Sequence, residues 1–280
     1  MNLTNSTDRR EMAFSILEKI DKYCAEIYDD GFRNHLGASQ IGHNCSRYLW
    51  YQFRWVAHKK HTGRQQRLFQ RGHLEEARFC EWLRGIGVEV SETGEDGKQH
   101  RVTSCCGHAG GSLDGIGTLP GINEKVLLEF KTSGTGSKFN KLLQNGVEIE
   151  REQHFCQMSF YGYKYNLQYA LYMCINKNDD DLHVELIKLN WELGKQLEEK
   201  AKKIIKATEP PEKLSKNSTF WQCKSCDMFD VCHHDEKLMK NCRSCVNAKP
   251  VKNAEWECAV YGVIPKEFIR IGCDEWDAIC

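Results

Sequence analysis

The sequence predicts an α/β (α+β) fold, with a mixed central sheet flanked by helices and a small cysteine-rich metal-binding module at the C-terminal end. Three observations carry this. Helical and strand-like patterns alternate up to residue 207, the order expected of a sheet layered with helices. One segment, Val126–Thr132, is an apolar strand interrupted only by Glu129, Lys131 and Thr132. Finally, eight of the fifteen cysteines lie from Cys223 onward.

Taken in order, residues 9–30 repeat apolar side chains at Ala13, Ile16, Leu17, Ile20, Cys24 and Ile27. That spacing predicts a helix, with Ser6, Thr7 or Asp8 as its cap and Gly31 as its stop. Ser39 is expected to cap a second helix, with Cys45 near its start among His43, Ser46 and Arg47. Arg64–Arg84 is a third helix, in which Gly72 permits a close approach. Short strands follow at Val88–Val90 and around His100–Val102. The adjacent Cys105 and Cys106 point in different directions and read as structural. Gly111–Thr118, a turn over Leu119–Asn123, and Val126–Thr132 read as a hairpin; Ser133–Ser137 reads as a flexible loop without the lysine of a P-loop. Helices are expected over Phe139–Gln144 and Glu150–Tyr165, strands over Tyr169–Ile175 and His183–Leu189, and an amphipathic helix over Trp191–Ala207, ended by Pro210-Pro211.

Composition narrows the class. Of 280 residues, 40% are hydrophobic and 28% charged, ordinary values for a folded chain. No apolar run is long enough to span a bilayer, and Met1–Arg10 lacks the apolar core of a signal peptide. A cytosolic protein is the expectation. Basic and acidic residues balance at 39 each, which leaves a local nucleic-acid groove open. In a reducing compartment, the cysteines are metal ligands or buried thiols rather than disulfides.

The chemistry concentrates on the hairpin. Side chains alternate along a strand, so Glu129 and Lys131 share a face while Phe130 points away. If the hairpin pairs, Asp114 comes close to Glu129. Two carboxylates and a lysine suit a hard divalent cation and a water that attacks a phosphodiester. Charge in so apolar a strand is costly unless paired or coordinated. Gln153, Gln157 and Tyr161 recur every fourth residue, forming one polar stripe on their helix.

Asp114-x14-Glu129-Phe-Lys131 resembles the PD-(D/E)XK nuclease signature, with Ser-Leu in place of the residue pair containing proline. Gln157-Met-Ser-Phe-Tyr161 is similar to the Gln-x-x-x-Tyr motif of the RecB-like exonuclease branch. Gly72-His-Leu-Glu-Glu76 is similar to the Gly-x-x-x-(Glu/His) motif of the preceding helix, with Glu75 the less favoured register. The resemblance covers residues 64–165 and implies a restriction-endonuclease-like core that hydrolyses DNA with Mg²⁺ or Mn²⁺. Glu76, Asp114, Glu129 and the Phe130 carbonyl would hold the metal. Lys131 would orient or deprotonate the nucleophile and stabilise the transition state. Gln157 and Tyr161 would position the DNA, as single strands or duplex ends, without sequence preference. Nucleases of this kind are encoded by bacteriophages for recombination, repair or degradation of DNA, which would place the protein in a bacterial or phage-infected cell.

Cys223-x2-Cys226-x5-Cys232 is one ligand short of a closed site. Zinc and iron–sulfur both suit it, with Cys45 as fourth ligand if the two ends of the chain meet, or His233 or His234 completing a zinc site. The pattern resembles the iron staple of RecB-like nucleases, which implies a structural [4Fe–4S] cluster on Cys45, Cys223, Cys226 and Cys232. Cys242-x2-Cys245-x12-Cys258-x14-Cys273 reads as a zinc ribbon, with Cys280 the weaker candidate for a ligand. The expected organisation is a helical region over 1–60 carrying Cys45, a nuclease core over 61–208, the iron–sulfur segment over 209–236 and the zinc-ribbon-like tail over 237–280. Two other readings compete with a metal-dependent exonuclease. One is a non-catalytic DNA-binding or assembly factor on the same fold, which would not need Asp114, Glu129 and Lys131 together. The other is a zinc-ribbon regulatory protein with incidental hairpin charges, against which Gln157 and Tyr161 count.

Overall fold

An apolar strand can be buried on both faces only if helices cover both, and the fold is built around that requirement. The structure, a computed structural model, describes residues 5–29, 31–121, 124–134 and 136–280. The expected turn at Ile122 and Asn123 and the loop residue Thr135 lie outside the described residues, as do Met1–Thr4. In chain order the elements are α1 (Ser6–Ile27), β1 (Leu36–Gly37), α2 (Ser46–Arg54), α3 (Gly63–Gly85), β2 (Glu89–Ser91), β3 (Arg101–Ser104), β4 (Ala109–Ser112), β5 (Gly115–Thr118), β6 (Lys125–Ser133), α4 (Gly136–Glu150), α5 (Glu152–Tyr165), β7 (Tyr169–Asn176), β8 (Leu182–Lys188), α6 (Trp191–Lys206), α7 (Trp221–Lys224), α8 (Phe229–His233), β9 (Ala248–Pro250), β10 (Trp256–Cys258) and β11 (Gly262–Ile264).

The central sheet has the order β2-β5-β6-β7-β8. It is mixed, since β6 and β7 run parallel while the other neighbours are antiparallel. On one face, Val126, Leu128 and Phe130 of β6 pack with Phe79, Cys80 and Leu83 of α3. The opposite face, which carries Leu127, meets α4, α5 and α6 in a second core. A capping box between Thr62 and Gln65 starts α3, satisfying donors that the first turn leaves open. Helices α5 and α6 cross closely at Gly194, where an added Cβ would collide with the Ser159 carbonyl and stand 2.6 Å from Tyr163 Cβ.

Gly111–Thr118 is not the single strand expected. The chain leaves one sheet and enters another there: β4 pairs with β3 and β1, whereas β5 pairs with β2 and β6. Leu113 and Asp114 fall between, where the Leu113 amide bonds the His100 carbonyl. The helix expected from Ser39 begins instead at Ser46, because Cys45 is its N-cap and its sulfur accepts from the Tyr48 amide at 3.4 Å. The C-terminal strands β9, β10 and β11 form a separate antiparallel sheet. Its residues Ala248, Trp256 and Ile264 nevertheless share one continuous core with Trp50 and Phe53 of α2 and Leu127 of β6. Among the described residues, no helix is long and apolar enough to cross a membrane.

Candidate active site

The register between β5 and β6 creates the site. Gly115 pairs with Leu128, so β5 begins there and the remainder of β6, from Glu129, has no neighbour on that side. The Phe130 amide, which would otherwise lack a partner, donates to Asp114 Oδ2 at 2.7 Å. Because the amide and carbonyl of one strand residue face the same side, the Phe130 carbonyl also opens onto this edge. Lys131 Nζ donates to it at 3.0 Å and to Glu129 Oε1. The same ammonium stands 3.9 Å from Asp114 Oδ2.

Glu129 is fully buried. Burial raises its pKa above the ordinary carboxylate range, and the charges of Asp114 and Glu76 add to that against the opposing pull of Lys131. Glu76 is raised for related reasons, chiefly burial and then Asp114. Burial works against the Lys131 charge, but Glu129, Asp114 and Glu76 outweigh it and hold the ammonium protonated above its usual value. Asp114 and Glu129 thus meet Lys131 directly, whereas Glu76, paired with His73 at 3.2 Å, acts on it through its charge alone. Glu75, the neighbouring register, is buried elsewhere and pairs with Arg78 at 2.6 Å and Arg71 at 3.8 Å. Its charge is satisfied away from the site.

Gln157 and Tyr161 of α5 lie inside the molecule, not on a free surface. Gln157 Nε2 stands 3.4 Å from Glu129 Oε2. Tyr161 is 2% exposed, and its hydroxyl occupies the space a side chain on Gly111 would need. The residues of α5 are buried from Phe155 to Gly162, so Tyr161 offers no free ring face here. Gln153 alone of the stripe is exposed.

Two residues were not singled out from the sequence. Tyr172 of β7 is the register partner of Glu129, and His154 of α5 stacks on it with its Nδ1 3.0 Å from the Tyr172 hydroxyl. Burial, then the Lys131 and Arg151 charges, depress His154 to about 3, so the imidazole is neutral. The available signal was its position one helical turn before Gln157. The site opens into a cavity of about 1070 Å³ whose walls include Glu76, Lys131, Arg33, His58, Lys59, Phe32 and Tyr48.

Cys45, Cys223, Cys226 and Cys232 line one small cavity between α2, α7 and α8. The Cys226 sulfur accepts from the Met228 amide at 3.4 Å, as Cys45 does from Tyr48. His233 borders the same cavity, whereas His234 is turned to Asp230 at 3.0 Å. Cys242, Cys245, Cys258 and Cys273 line a second cavity. Cys280 is placed away from it, under the influence of Arg47, Tyr51 and Cys232. Among the described residues, no three His, Cys, Asp or Glu side chains have donor atoms gathered in metal-ligating geometry.

The chain is similar to several solved structures. The crystal structure of SSO0001 is 16% identical over 78% of this chain and 96% of its own, with a TM-score of 0.48. The alkaline exonuclease LHK-Exo from Laribacter hongkongensis is 16% identical over 61% of this chain and 86% of its own, with a TM-score of 0.41. In complex with dAMP the same exonuclease gives 0.40. No protein-family model matches the sequence, and no curated protein matches it.

Proposed function

We propose that the protein is a metal-dependent deoxyribonuclease acting as an exonuclease on DNA strands or ends. The observation that carries this reading is the open edge of β6, where Asp114, Glu129 and the Phe130 carbonyl gather around Lys131 and Glu76 adds its charge. The donor set is all oxygen, the preference of Mg²⁺ and Mn²⁺, and its surplus of carboxylate over ammonium fits a divalent cation. Bound there, Mg²⁺ or Mn²⁺ would activate water and offset charge on the phosphate.

The chain's own residues do the rest. Asp114 is held by the Phe130 amide through Oδ2, which leaves Oδ1 available to a metal ion. Gln157 holds Glu129 from behind, making it a positioning residue rather than a DNA contact. Lys131, kept as an ammonium, orients the attacking water and stabilises charge that grows on the phosphate; it is not set up to take the proton. Arg33, His58 and Lys59 follow the backbone of a strand lying in the cavity, with Phe32 and Tyr48 as faces for its bases.

Cys45, Cys223, Cys226 and Cys232 are proposed to hold a structural [4Fe–4S] cluster. Four thiols border one cavity, and backbone amides point at two of the sulfurs, the environment that stabilises cluster thiolates.

End-labelled single- and double-stranded DNA tests the activity. Shortening with Mg²⁺ or Mn²⁺, abolished by EDTA and reduced by at least about 100-fold in Lys131→Ala, is expected. Equal digestion by that variant, at matched circular dichroism, would sink the mechanism.

A further inference from the structure

The proposed nuclease chemistry uses neither the C-terminal cysteines nor two buried arginines beside them. Arg243 stands between Cys242 and Cys245 and is 1% exposed; Arg54, on α2, is 2% exposed. The Arg243 guanidinium lies 4.2 Å from the ring centroid of Trp55, 4.5 Å from Trp256 and 4.7 Å from Phe53. It donates to the carbonyls of Arg33 at 3.2 Å and Asn34 at 3.1 Å. Arg54 donates to the carbonyls of Ala248 at 2.8 Å, Arg243 at 3.3 Å and Ala207 at 3.3 Å. The Nε atoms of both are buried without a partner. Among the described residues, neither makes an ion pair with a carboxylate; their partners are backbone carbonyls and ring faces. Ring faces and carbonyl dipoles soften such charges, but two like charges enclosed together need a buried counter-charge.

A cavity beside them can supply it: Ala248, whose carbonyl accepts from Arg54, lines that cavity together with four cysteines. Cys242, Cys245, Cys258 and Cys273 border one cavity of about 20 Å³, formed by the turn at Cys242–Ser244, the end of β10 and the segment before Trp276. The side chains do not close on a common point, and in small modules ion binding and that closure are one event. Four thiolates around one Zn²⁺ carry a net charge of about −2, equal and opposite to the two guanidiniums.

We propose that these four cysteines bind a structural Zn²⁺ as a tetrathiolate, and that Arg54 and Arg243 are its buried counter-ions. The pairing ties the module to α2, to which Asn241 also donates at the Trp55 carbonyl (2.9 Å). This inference stands apart from the nuclease reading, because its measurements do not involve DNA.

Zinc and iron are measured on the full chain, purified without chelator, for the wild type, Cys258→Ser and Cys223→Ala. Zinc near one equivalent is expected in the wild type, retained in Cys223→Ala and lost in Cys258→Ser. Should Cys258→Ser fail to fold, wild-type protein produced with Co²⁺ in place of zinc decides the matter. Tetrahedral d–d bands with thiolate-to-metal charge transfer are expected; an octahedral spectrum would overturn the site. Zinc absent from the wild type, or iron occupying these ligands in Cys223→Ala, would also overturn it. Arg54→Met tests the charge balance: chelator should strip its zinc about tenfold more readily, and unchanged retention would refute the counter-ion role.

Discussion

Glu198 shows how one side chain sets a condition on the whole fold. It is nearly buried on α6 and accepts from Ser104, from Lys164 at 2.7 Å and from Lys202 at 3.4 Å. Burial alone would raise its pKa, but those hydrogen bonds and the lysine charges outweigh it and hold the carboxyl below 4.5. A depressed folded-state pKa means that the stabilisation is complete above the unfolded value and is lost as pH falls through the folded one. Glu198→Gln should therefore lower stability near neutral pH by about 1.5–3 kcal/mol. The gap between variant and wild type should narrow on acidification below 4.5, as urea unfolding at a series of pH values would record. Glu129 and Lys131 were legible at this scale because alternation in a strand fixes which side chains share a face. Ser104 and Glu198 were not, since 94 residues separate them and neither has a local pattern.

Among the elements, α5 and α6 cross at a distance that a glycine sets. Alanine favours a helix over glycine by about 1 kcal/mol, yet a Cβ on Gly194 meets the Ser159 backbone, which cannot rotate aside. Overpacking of this kind costs about 1–3 kcal/mol, so Gly194→Ala should lower the midpoint of thermal unfolding despite its better propensity. The same crowding buries the stripe that periodicity marked on α5. Spacing of four residues placed Gln157 and Tyr161 on one face, but periodicity cannot tell whether the opposite face is also covered. Here it is, and Gln157 faces Glu129 inside the molecule. The division of Gly111–Thr118 between two sheets was equally hidden. Alternation is readable within a strand, whereas a transfer between sheets depends on which neighbours each half finds.

At the scale of the whole molecule, the helix–strand order announced the layers, and the apolar β6 announced that both of its faces are covered. The meeting of Cys45 with Cys223, Cys226 and Cys232 followed only from supposing that the two ends of the chain meet, and they border one cavity. The arginine pair beneath the other cysteines had no signal beyond the aromatic density of Trp50, Phe53, Trp55 and Trp256. Cys45→Ala is expected to abolish the iron content and the brown colour of anaerobically purified protein, with the four C-terminal cysteines still holding their metal. Metal analysis of that variant checks both statements.

The shortest strand carries a consequence of its own. β1 is two residues long, paired through Leu36 with Ala109 and Gly37 with Gly110. It lies directly upstream of Cys45 and directly beside the strand that delivers Asp114. The stretch from Leu36 to Cys45 is thus a tether between the cysteine cavity and the joint at Leu113 and Asp114. Slackening its cysteine end should be felt first as faster amide deuteration at Ala38, which donates to Gly110, while β7, paired on both sides, keeps its protons.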